Sequence, residues 1–269
     1  MSAITEMRRS RELLINLTLR EVRGKYKRTA LGQGWSLLNP LVQMAIFTVV
    51  FGVLIRITPE PGDPSGVDVF ALWLVAGLLP WAFFSNAVTS GMGALIGNAN
   101  LINKVYFPRE LLVLSTVFSW NVSFGVELLV LAAVMLLFGG SPLLFLPVVV
   151  VAVVLLTAFA LGIALVLSVA NVYFRDTQHF IALFMQVWFY ATPIVYPYAY
   201  VRDNASPTVE TLYRLNPLER FVTVFRNLFY DNRLPSLADF GYVTIAAALS
   251  LVVGFLVFRR YEGRLAEEL

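Results

Sequence analysis

The chain has 269 residues, 58% hydrophobic and only 14% charged, with mean hydropathy +0.75. A soluble domain carries about 25% charged residues, so the composition excludes an ordinary water-soluble globule and points to an integral membrane protein. The net charge of +3 sits in short basic segments between apolar runs, which reads as topogenic charge rather than a nucleic-acid face. The absence of cysteine removes disulfides, thiol chemistry and cysteine-based zinc sites, and the single His179 cannot build a metal cluster alone.

Residues 1–36 hold eight of the twenty Lys and Arg and no cleavable apolar stretch, so no signal peptide is expected there. Ile15, Leu19, Val22 and Tyr26 recur at helical spacing, beside a strip containing Arg20, Arg23 and Lys27. An apolar stripe next to a cationic one is the pattern of a helix lying in the membrane interface, and it is also compatible with a plain basic flank. Six hydrophobic segments follow, near residues 38–57, 69–89, 111–138, 143–170, 180–196 and 240–258. Each is long enough, at about 1.5 Å per residue, to cross roughly 30 Å of hydrocarbon. Lys104, Arg109, Arg175, Arg259, Arg260 and Arg264 fall on the same side as the basic N-terminal tail, whereas Arg56 and the five arginines of residues 197–239 fall opposite. That bias puts both termini in the cytoplasm. The connection 197–239 is too apolar for a simple loop: after the helix-start signal Asn216-Pro217, Leu218, Phe221, Val222, Phe225 and Phe229 make a stripe. It predicts an external re-entrant or interfacial helix pair before the last span, with a small soluble cap as the alternative. The fold class is thus all-α: a cytoplasmic tail and interfacial helix over 1–36, a transmembrane domain over 37–258, and a short tail over 259–269.

No GxxxxGK[ST] phosphate loop, nucleophile elbow or HExxH occurs, which argues against an active site in this chain. Residues 23–44 (RGKYKRTALGQGWSLLNPLVQM), 100–111 (NLINKVYFPREL), 170–176 (ANVYFRD), and 191–197 (ATPIVYP) followed by 215–226 (LNPLERFVTVFR) instead carry a resemblance. In that order and spacing they resemble the signatures of ABC-2-type permeases that export O-antigen, teichoic acid and similar envelope glycans, over essentially the whole chain.

The resemblance implies a permease without a cofactor of its own, working as a homodimer with two copies of a cytoplasmic ABC ATPase that binds ATP and Mg²⁺. It implies a polyprenyl-linked glycan as substrate, at the bacterial inner membrane. Asn100, Leu101, Ile102, Lys104, Phe107, Pro108 and Arg109 correspond to the first coupling element, and Arg175 and Asp176 to the second; Pro108 ends the first before the third span. Arg20, Arg23, Lys25, Lys27 and Arg28 form a cationic strip suited to the anionic head group of a carrier lipid or to bulk anionic lipid. Among 37 aromatic residues, Trp81, Phe84, Trp188 and Tyr190 are the candidates for a glycan channel, since flat C–H faces of sugars stack on aromatic rings. Glu127, near the middle of the third span, is expected at an interface or a pore because a lipid-facing carboxylate is costly. An ABC-2 exporter of a small lipid or drug shares this architecture, and a secondary transporter is the other alternative, disfavoured by the lack of an internal repeat.

Overall fold

The computed structural model describes residues 3–25, 27, 32, 34–54, 56, 60–105 and 107–268. Among them the structure is helical throughout, without a strand. Helix α1 (Ala3–Lys25) is followed by α2 (Gly34–Phe47), which runs on as a π-helical stretch (Thr48–Leu54). Then come α3 (Phe70–Gly97), the one-turn α4 (Ala99–Ile102), α5 (Glu110–Leu137), α6 (Leu146–Tyr173) and α7 (Thr177–Tyr190). Three short helices follow, α8 (Tyr198–Asn204), α9 (Pro207–Arg214) and α10 (Pro217–Arg226), before the long α11 (Leu237–Tyr261) and the terminal α12 (Leu265–Glu268).

Four segments are long and apolar enough to cross a membrane: Phe70–Gly97, Glu110–Leu137, Pro142–Tyr173 and Leu237–Arg264. They coincide with the second, third, fourth and sixth expected spans, and α3 and α11 extend beyond the expected runs. Of the other two expected spans, the first is met by α2 with its π-helical continuation and the fifth is shorter. Helix α7 has 14 residues, about 21 Å at 1.5 Å per residue, and residues 191–197 leave the helix altogether.

Helix α3 is the axis of the bundle, packed against α5, α6 and α10. Lipid is as apolar as leucine, so helices in this solvent associate through close backbone approach rather than hydrophobic exclusion. The α6–α11 crossing shows how. Gly162 of α6 and Gly254 of α11 lie against each other's helix with no room for a side chain, and Ser250 Oγ donates to the Phe159 carbonyl at 2.8 Å.

Within residues 197–239, α10 and the π-helical turn after it (Asn227–Asp231) pack into the bundle. Asn216 caps α10, its side chain accepting from Leu218 N at 3.1 Å, as the Asn-Pro signal predicts. The stripe Leu218, Phe221, Val222 and Phe225 is buried against α3, α6 and α11. At the end of α10, Arg226 is buried and donates to the carbonyls of Pro193 at 2.8 Å and Ile194 at 2.6 Å. Its guanidinium lies 3.7 Å from the centre of the Trp73 ring. A side chain on Gly77 would strike that guanidinium, so glycine is what lets α10 approach α3 here. Three short helices stand where a pair was expected; α10 is packed into the bundle, while α9 buries no residue and α8 only Val201.

Candidate substrate cavity and transmission elements

A cavity of about 960 Å³ opens between α1, α2, α3, α5 and α7. Trp35, Trp81, Trp120, Phe124, Phe189 and Tyr190 supply its aromatic wall, and Ser85, Asn86, Ser123, Glu127 and Gln186 its polar positions. Trp81 and Tyr190, two of the four aromatic candidates, line this cavity. Phe84 does not: its ring is fully buried, 5.5 Å from Phe159 and 5.4 Å from Trp188, so no solute reaches it. Trp188 also stands behind the wall, with Nε1 donating to Asn216 Oδ1 at 2.9 Å. These two rings brace α7 against α3 and the start of α10.

Lys25 is the unexpected member of the wall. Helix α1 packs against α5 through Leu17, with Leu13 and Leu14 partly buried, so its last turn rises beside α5 instead of staying with the rest of the cationic strip. The Lys25 ammonium lies 3.4 Å from the centre of the Trp120 ring and has no hydrogen-bond partner among the described residues. Burial pushes it from the ordinary 10.5 down to about 7, opposed in part by Glu21 and Glu127. Glu127 lines the same cavity. Trp120 is itself fixed by Nε1 donating to Ser90 Oγ at 3.0 Å.

The rest of the strip stays outside. Arg23 and Lys27 are exposed, and Arg20 bonds Glu21 at 2.9 Å and Asn98 at 2.6 Å, tying α1 to the end of α3. Arg28, like Tyr26, lies outside the described residues. Ile15 and Leu19, the predicted apolar stripe, remain exposed and free to meet lipid, because the neighbouring Leu17 face is the one that packs on α5.

The α4–α5 connection and the α6–α7 turn lie at one end of the bundle: Asn171 Nδ2 donates to the Met92 carbonyl at 3.3 Å, and the Tyr173 and Tyr261 rings meet edge to face at 5.9 Å. In the first, Ile102 is buried in the bundle, Leu101 and Phe107 are half-buried against it, and Asn100, Lys104, Val105 and Pro108 are exposed. Arg109 donates to the carbonyl of Glu262, at the far end of the chain. Arg175 and Asp176 are exposed in the α6–α7 turn, flanked by exposed Phe174 and Phe180. Leu101, Ile102, Phe107 and Arg109 are thereby engaged with their own chain, leaving Asn100, Lys104, Val105, Pro108, Arg175 and Asp176 as the outward-facing set.

Comparison with known proteins adds to this geometry. The family profile of the ABC-2 type transporters matches residues 12–230. An O-antigen export system permease protein, RfbA of Myxococcus xanthus, is 30% identical over 98% of the chain and 96% of its own length. RfbA of Klebsiella pneumoniae is 28% identical over 95% and 94%, and the polysialic acid transport protein KpsM of Escherichia coli is 23% identical over 91% and 92%.

Proposed function

The chain belongs to the ABC-2 type transporter family, and from that premise we propose that it is the permease subunit of an ATP-driven exporter that moves a lipid-linked polysaccharide outward across the bacterial inner membrane. The observation that carries the reading is the aromatic-walled cavity of about 960 Å³ in a chain similar from end to end to polysaccharide-export permeases. Flat rings interrupted by hydroxyl, amide and carboxylate groups suit a sugar polymer that slides past weak, repeated contacts.

In this reading α2 and α7 complete six spans, both termini are cytoplasmic, and residues 197–239 form the re-entrant region at the outer side. A second copy completes the path beside this cavity, making a homodimer. Hydrolysis belongs to two copies of a separate ATPase subunit, which hold ATP and Mg²⁺. The outward-facing Asn100, Lys104, Val105 and Pro108, with Arg175 and Asp176, receive its motion. Arg20, Arg23, Lys27 and Arg28 attract the anionic head group of the carrier lipid, each worth about 1 kcal/mol beside an anionic surface.

Depletion of the protein in its host tests this directly. Full-length lipid-linked polymer then accumulates on the cytoplasmic face while surface polymer is lost. Normal glycans on both faces would remove the polysaccharide reading and leave a small lipid or drug as the exported molecule.

A further inference from the structure

We propose that the C-terminal segment, residues 262–268, is a working part of the transmission, clasped to the α4–α5 connection so that a push on that connection reaches α11 together with α5. The proposal rests on the reading of residues 100–109 as the ATPase-facing element, and concerns where the motion goes next.

Three contacts carry it. Arg109, the residue before α5, spans 153 positions of sequence to donate to the Glu262 carbonyl. That carbonyl stands just past the end of α11, where a cation is favoured by the helix dipole, and it also accepts from Leu265 N–H, so Arg109 holds the turn into α12 as well as the end of α11. Tyr261, the last residue of α11, packs edge to face on Tyr173, the last residue of α6. The chain then turns through a 3₁₀ segment (Glu262–Arg264) into α12, whose Leu265 is completely buried against the bundle. A solvent overhang would bury no leucine and hold no fixed carbonyl. This tail instead fastens the start of α5 and the ends of α6 and α11 at one place.

The rest of the bundle extends the clasp. Helices α6 and α11 are locked by the Gly162–Gly254 crossing, and α3 packs intimately on α5 and α6. Helices α2 and α7 touch this body lightly. A displacement entering at Lys104 and Val105 therefore moves α3, α5, α6 and α11 as one unit against α2 and α7, the two helices that close the cavity. Arg259, Arg260 and Arg264 are exposed beside this clasp.

The chain has no cysteine, so labels can be placed freely. Spin-label pairs Lys104→Cys/Gly263→Cys and Lys104→Cys/Val187→Cys, the last on the exposed face of α7, one labelled protomer per complex, are compared in the complete permease–ATPase complex without nucleotide and trapped with ATP and vanadate. The expected result is an unchanged 104–263 distance and a changed 104–187 distance. With Arg109→Gln the 104–263 distance becomes nucleotide-dependent, and polymer exported per ATP hydrolysed falls about tenfold, within the usual range of coupling energies; Arg109→Lys recovers part of it. A 104–263 distance that changes in the parent protein, or one that stays fixed in Arg109→Gln, overturns the clasp. No change at 104–187 overturns the coupling assignment itself, a separate outcome.

Discussion

Substituting Gly254 by alanine tests the packing logic of the bundle most sharply. The added methyl would sit 2.7 Å from Gly162 Cα and 2.9 Å from Gly162 C, both backbone atoms that cannot rotate away. Carbon atoms pack at about 3.5–4.0 Å, so α6 and α11 must separate by roughly 1 Å, a gap that forfeits a quarter to a half of each dispersion contact along the crossing. Overpacking of this kind costs about 1–3 kcal/mol, and alanine's better helix propensity returns up to about 1 kcal/mol. The net loss is about 1–2 kcal/mol, or roughly 2–4 °C in Tm for a chain of this size. Thermal unfolding in detergent reads it, with Gly125→Ala as control because nothing lies within 4 Å of that position. Gly125→Ala is expected to match or exceed the parent, since it gains helix propensity without a clash; if Gly254→Ala also melts at or above the parent, close backbone approach does not hold these helices together.

Four further outcomes are expected. Trp81→Ala slows polymer export more than it slows ATP hydrolysis, because the ring lines the cavity; equal loss of both would mean that its role is structural. Asn216→Ala, which removes the α10 cap and the bonds to Trp188, Ala191 and Thr192, costs about 1–3 kcal/mol in the same melting assay, and an unchanged Tm would refute the cap's role. Arg226→Met strands the Pro193 and Ile194 carbonyls at about 1–3 kcal/mol each; a variant as stable as the parent would show that these carbonyls find other donors. Lys25, depressed to about 7 from 10.5, binds its proton less readily folded than unfolded, so stability rises with pH between about 7 and 10.5 and its contribution is lost as pH falls through 7. Lys25→Met flattens that part of the stability–pH curve, and an identical slope in both proteins would place the ammonium in water.

The spans were legible where length and apolarity alone decide. Helices α3, α5, α6 and α11 were all visible as uninterrupted runs, and the start of α10 was visible from Asn216-Pro217, because a cap and a proline act locally. The faces of those helices were not. Trp81 and Phe84 stand three residues apart on α3, yet one lines the cavity and the other is sealed behind it. In a helix apolar on every side, periodicity separates protein from lipid poorly and says nothing about a lumen. Lys25 was misread for a related reason. The α1 pattern fits lipid and fits α5 equally well, and only the tilt set by Leu17 carries its last turn to Trp120. Arg109 looked like a residue for a partner because nothing in a linear chain announces a carbonyl 153 positions away.

The Arg226 arrangement constrains how the protein is made. A guanidinium held by Pro193, Ile194 and the Trp73 ring has no shelter until those groups are in place, and they are contributed by segments synthesised earlier. Until then the guanidinium has neither acceptor nor ring, so its burial is complete only once α10 is seated on α3. A side chain at position 77 would meet the guanidinium and disturb that seating without touching any of the four long helical spans.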